Sequence, residues 1–124
     1  MLEQQLLQDI GFYCDGKIAV AVLTTEMINA AQLSENDDFG GISSIPRQIE
    51  GVEVGITIRQ KGENHFKASV RTSGLVDASE LCKRFGGGGH PRAAGCELDG
   101  EAQTVRQLMV DVVTEILHSK GLLE

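Results

Sequence analysis

Four consecutive glycines, Gly86 to Gly89, run into His90 and then into Pro91-Arg92-Ala93-Ala94-Gly95. No other segment restricts this chain so sharply. Glycine has no side chain and tolerates positive φ. Ordering four in a row costs conformational entropy, so the segment is expected to have a physical use. Successive glycine N–H groups can converge into an anion-binding nest. Arg84 and Arg92 bracket the run, which lets the backbone lie directly against a phosphate. His90 is held at the end of the loop by Pro91 and can donate to a phosphate oxygen, while Arg92 can clamp the same group. A flexible hinge is the competing reading. This run contains no serine and sits between an amphipathic helix and an apolar strand, which favours binding.

Charge localises the same region. The chain has 124 residues and a formal net charge of -7, which argues against broad duplex binding. Residues 71 to 92 nevertheless carry Arg71, Lys83, Arg84 and Arg92 against Asp77 and Glu80. A local positive zone on an acidic protein suits a small anionic ligand or a nucleic-acid end. With four Phe, one Tyr and no Trp, there is little material for base-stacking platforms. The length suits one domain with its own core. Three cysteines without C-x-x-C spacing make neither a disulfide framework nor a zinc site. No apolar run reaches the ~20 residues of a membrane span, and no signal peptide is evident, so the expected compartment is cytoplasmic.

The chain reads as alternating short elements. Leu2, Leu6 and Leu7 share a face of a short N-terminal helix. Asp15-Gly16 between the apolar runs 10–14 and 18–23 predicts a hairpin. Residues 19–23 lack polar alternation, so both faces of that strand should be covered. A helix from about 26 to 32 is capped by Thr24 or Thr25. After the polar stretch Ser34–Asp38, Phe39, Ile42, Ile45 and Ile49 recur at helical spacing, broken near Pro46. Val52 to Arg59 alternates as a half-buried strand, and residues 61–64 turn into a strand from Phe66 to Thr72. Asp77-Ala78-Ser79-Glu80 opens a helix through Phe85. The glycine loop, a strand from Ala94 to Leu98 and a last helix follow. That helix carries Val105, Leu108, Met109, Val112, Val113, Ile116 and Leu117 as its apolar stripe. The fold class is α/β in the loose sense (α+β), one mixed sheet of about five strands covered by helices.

If Phe66, Ala68 and Val70 face the core, Arg71 and Ser73 face away, toward ligand or solvent, and Thr72 faces in. Alone, that pair is an ordinary solvated strand face. Lys83-Arg84 is explained by a helix C-terminus, and Cys82 and Cys96 by a small-residue core. His65 and His118 show no partner pattern. The P-loop, H-E-x-x-H and G-x-S-x-G motifs are missing.

The decapeptide 86–95 resembles the signature of the DHHA1 domain, the substrate-binding half of DHH-family phosphoesterases. Ile49–Gly55, Ser69–Ser73, Asp15–Ala19 and Asp38–Gly40 are similar to segments of the oligoribonuclease and 3′-phosphoadenosine-5′-phosphate phosphatase subgroup. The resemblance implies a two-domain enzyme in which an N-terminal DHH domain carries manganese and performs hydrolysis. It implies that Arg71 and Ser73 lie on a nucleotide-contacting strand. It places Gly87, Gly88, Gly89 and His90 in a phosphate-contacting loop, and Gly86 and Arg92 are expected to contact the same phosphate. No Asp-His-His occurs here, so residues 10–124 are expected to be the substrate-binding domain alone, with residues 1–9 as an interdomain connector. On this reading the chain binds no metal or cofactor and is catalytically silent by itself. Its partners are a short oligonucleotide or phosphorylated nucleotide and the DHH domain of the same polypeptide. A homodimer is compatible with it. The alternative is an RNA-binding and dimerisation module like the C-terminal domain of alanyl-tRNA synthetase.

Overall fold

Asp15 and Gly16 both take positive φ, 55° and 82°, and the Lys17 N–H closes the turn on the Cys14 carbonyl at 3.1 Å. This backbone suits the twist of two antiparallel strands. It joins β1, Gly11–Tyr13, to β2, Ile18–Leu23. The structure is a computed structural model that describes residues 9–33 and 40–123. The helix expected over residues 1–9 (Asp9 excepted), the polar stretch Ser34–Asp38 and Phe39 lie outside the described residues.

Helix α1, Thr25–Ala30, is capped by Thr24, whose hydroxyl accepts the Met27 N–H at 3.1 Å. The segment around Pro46 forms two short helices, α2 (Gly40–Ser43) and α3 (Ile45–Gln48). They break at Ser44 because proline belongs in a first helical turn, where its missing N–H is not needed. Strands β3, Val54–Gly62, and β4, His65–Thr72, form an antiparallel pair turned at Asn64, with a bulge between Gln60 and Gly62. Helix α4, Ala78–Lys83, starts on Asp77, whose carboxylate accepts the Ser79 and Glu80 N–H groups. Strands β5, Gly88–His90, and β6, Ala93–Asp99, precede α5, Ala102–Ser119.

Among the described residues six strands form one mixed sheet in the order β1-β2-β3-β4-β6-β5. Only β2 and β3 pair in parallel. About five strands were expected, and the sixth is the second half of the glycine run. Gly88, Gly89 and His90 pair antiparallel with Gly95, Ala94 and Ala93, so this part is an edge strand rather than a loop. Residues 91 and 92 make the connection, and a two-residue link allows no other pairing partner so close in sequence.

One face of the sheet holds the main core. Val54, Ile56, Ile58, Phe66, Ala68, Val70, Cys96 and Leu98 meet Leu81 and Cys82 of α4 and Val105, Met109, Val113 and Leu117 of α5. Leu108, expected in the helical stripe, is 46% exposed, and Val110 is buried instead. Val105, Met109, Val113 and Leu117 recur every four residues and set the centre of the buried stripe, which leaves Leu108 on the flank. A smaller cluster on the opposite face packs Ala21 and Leu23 against Ile10, Met27, Ile28, Ile42 and Ile45. Strand β2 is thus covered on both sides, as its uninterrupted apolar run required. Strand β3 departs from expectation, being buried on both faces from Val54 to Ile58. Its outward positions are small. A Cβ on Gly55 would meet the Arg47 backbone nitrogen at 2.6 Å, so helix α3 rests directly on the strand.

Candidate functional site

Helices α1 to α3 cover the β2–β3 half of the second face, and α2 also reaches β4. Among the described residues these helices leave the β6–β5 side of that face open. Strand β4 alternates strictly, with Phe66, Ala68, Val70 and Thr72 buried and the intervening residues partly exposed. Ladder partners share a face. Register therefore assembles two rows on the open side: Arg71 beside Ala93 beside His90, and Ser69 beside Gly95 beside Gly88. Arg71 and His90 stand two strands apart, about 10 Å between backbones. Small residues fill the floor between them. The sequence placed Arg71, Ser73, His90 and the glycines in one site; alternation puts Arg71, Ser73, Gly88 and His90 on the open face, Gly89 on the opposite face with Ala94, and Gly86 and Gly87 at the end of α4.

Arg92 lies on the connection, opposite Thr72. Its guanidinium lies over Gly74, where a Cβ would meet Nε and an Nη at 3.1 Å. The connection is tied down on both sides. Thr72 N–H donates to the Arg92 carbonyl at 3.0 Å, and Ala78 N–H donates to the Pro91 carbonyl at 2.7 Å. The inward Thr72 hydroxyl donates to the Val76 carbonyl at 2.8 Å. His90 and Arg92 are thus exposed side chains on a fixed backbone.

The glycines divide into distinct uses. Gly86 and Gly87 end α4, donating to the carbonyls of Lys83 and Cys82. Their N–H groups serve the helix end, so four N–H groups do not converge into a single nest. A Cβ on Gly87 would overlap the Gly95 carbonyl and lie 2.7 Å from the Cys96 Cβ. Gly89 has φ +149° and lies against Ala94. Gly88 differs: a Cβ there would meet nothing within 4 Å. Nothing in the described fold requires glycine at that position. Beside it, Lys67, Phe85, Gly86–Gly88 and Glu97 line a depression of about 330 Å³ at the sheet edge.

Two side-chain pairings escaped the sequence reading. Ser73 donates its hydroxyl proton to a carboxylate oxygen of Glu53 and its N–H to the Glu53 carbonyl, the latter at 3.0 Å. His65 sits at the far end of β4, its Nδ1 2.7 Å from Asp99 and its Nε2 2.7 Å from Glu97. These two carboxylates, Asp99 first, hold its pKa above the ordinary imidazole value. The partners are 34 and 32 residues away, so only strand register reveals them. The two ring nitrogens point to different carboxylates and do not converge with them on one point. Among the described residues no group of three or more His, Cys, Asp or Glu side chains can hold a metal. The described side chains thus offer manganese no ligand set. The Cys82 and Cys96 thiols are buried core residues. Interaction with Cys96, then burial, pushes the Cys82 thiol up.

The family model of the DHHA1 domain matches residues 15–119. This chain belongs to the DHHA1 family. The bifunctional oligoribonuclease and PAP phosphatase NrnA of Thermus thermophilus is 32% identical to this DHHA1 domain over 120 residues. The match covers 96% of the domain but 35% of that relative, so the chain spans about a third of the relative's length. Among solved structures, an exopolyphosphatase-related protein from Bacteroides fragilis superposes with a TM-score of 0.77 at 28% identity, over 98% of this chain and 34% of that one. The C-Ala domain of Aquifex aeolicus alanyl-tRNA synthetase superposes with a TM-score of 0.58 at 18% identity, over 81% of this chain and 89% of that one. At that identity the likeness is one of fold.

Proposed function

We propose that this DHHA1 domain holds the phosphorylated end of a short oligonucleotide, or a 3′,5′-bisphosphorylated nucleoside, for a manganese-dependent DHH domain in the same polypeptide. The observation that carries this reading is the row Arg71–Ala93–His90 on the open side of the sheet, with Gly88 beside it and Arg92 on the adjoining connection. Arg71 and Arg92 supply charge-assisted donors to phosphate oxygens. His90 donates to the same group, and more strongly when protonated. Gly88 lets a ligand approach the backbone where any side chain would stand in the way. The domain's contribution is to bind, orient and neutralise charge, while bond breaking belongs to the other domain. The relatives support this reading through the activities in their names, oligoribonuclease and PAP phosphatase.

The test is a titration of the 124-residue chain with a 5′-phosphorylated dinucleotide, with 3′-phosphoadenosine-5′-phosphate and with full-length tRNA. Binding of the small ligands, weakened by salt, is the expected outcome. Preference for tRNA would replace this reading with an RNA-binding module. Hydrolysis of the dinucleotide by the pure chain with added manganese would overturn the assignment of chemistry to another domain.

A further inference from the structure

A serine hydroxyl carries one proton. The Ser73 proton is donated to the carboxylate of Glu53, so in this arrangement Ser73 offers only lone pairs. Glu53, when ionised, likewise only accepts. The ladder explains why the two meet. Val54 pairs with Thr72, and the next step outward brings Glu53 against Ser73, where the Ser73 N–H bonds the Glu53 carbonyl at 3.0 Å. Glu53 is itself anchored by its N–H, which donates to the Lys17 carbonyl at 2.8 Å. Both residues are partly exposed. By alternation they share the face of Arg71, two residues further along the strand, about 7 Å away.

The open face therefore has two adjoining rows of opposite chemistry. The row of Arg71 and His90 attracts an anion. The row of Glu53 and Ser73 accepts hydrogen bonds and repels an anion. One ligand satisfies both if it carries a phosphate and, one group further along, a hydroxyl donor. We infer that Glu53, with Ser73, is a specificity determinant that accepts a ribose hydroxyl of the nucleotide whose phosphate meets Arg71, so that the site prefers ribose to deoxyribose. The 2′-hydroxyl distinguishes the two sugars by hydrogen bonding, and an acidic side chain is a suitable acceptor for it. This inference rests on the nucleotide-binding reading above and extends it to the sugar.

The experiment compares affinities of the chain for a 5′-phosphorylated diribonucleotide and its deoxy counterpart, in the wild type and in E53A, E53Q and R71A. The wild type should bind the ribo form about tenfold more tightly, the scale of one hydrogen bond to a charged acceptor. E53A should lose that ratio while holding or improving its affinity for the deoxy form, because a repulsive charge is gone and the Ser73 proton is released. E53Q keeps an acceptor oxygen, guards against misfolding of E53A, and should show a reduced ratio. R71A should weaken both ligands alike. Equal affinity for the two sugars in the wild type, with loss of both in R71A, overturns the inference and leaves the nucleotide-binding reading standing. A wild-type ratio that survives in both Glu53 variants also overturns it. Failure of the wild type to bind either ligand overturns both.

Discussion

Gly87 and Gly88 are neighbours of the same type with opposite requirements. A methyl group on Gly87 must displace the Gly95 carbonyl and the Cys96 side chain. G87A should therefore destabilise the fold by about 1–3 kcal/mol, as overpacking does. G88A meets open space and should shift stability by no more than about 0.5 kcal/mol, the range of ordinary surface changes. Its effect should fall on ligand affinity instead. Thermal melts paired with dinucleotide titrations separate the two, and equal melting temperatures for both variants would contradict the packing argument. Among the described residues the Arg71 side chain makes one long hydrogen bond, to its own strand's Val70 carbonyl at 3.4 Å. R71A should accordingly leave the melting temperature nearly unchanged while weakening binding of a 5′-phosphorylated dinucleotide about tenfold or more.

The β4–β6 ladder is where pH enters. His65 on β4 faces Asp99 across the pair and reaches Glu97, which also lies 3.9 Å from Lys61. The folded pKa of His65 is raised, so its protonated form gains from folding. That contribution is fully present below the unfolded value of about 6.5 and is lost as pH rises through the higher folded value. The stability difference between wild type and H65Q should be largest near pH 5.5 and vanish well above the folded pKa. Denaturant unfolding at a series of pH values checks this, and a difference that grows with pH would refute it. Salt should shrink the same difference, because the cluster is exposed to solvent. Gly88–His90 gains an antiparallel partner because residues 91 and 92 fold it back on β6. That pairing, more than the flexibility of glycine, gives His90 a defined place.

At the scale of the whole molecule, the acidic charge and the basic site are compatible because the sheet gathers bases from three places: Arg71 on β4, His90 on β5 and Arg92 on the connection. An acidic protein with such a local site should bind its ligand with a modest salt dependence, set by the few phosphate contacts and not by a long polyanion track. The slope of log affinity against log salt for a dinucleotide should correspond to about one to three neutralised charges. A steep slope would indicate an extended nucleic-acid surface. The family resemblance was carried by the decapeptide 86–95, and the family match over residues 15–119 now stands behind it.

The sequence alone determined the local elements with local causes. Asp15-Gly16 requires positive φ, Thr24 and Asp77 cap helices, Pro46 breaks one, and strict alternation from Phe66 to Thr72 turns Arg71 outward. Each of these is decided within a few residues, so each was legible before any fold was known. Tertiary structure decided what depends on partners distant in the chain. Strand register joined His65 to Asp99 and Glu53 to Ser73. Helix α3 buried a face of β3 that alternation left open. The return of residues 91 and 92 made a strand from half of a glycine run. Hydrogen-bond partners and covered faces are properties of pairs of elements, and no periodicity within one element encodes its neighbour.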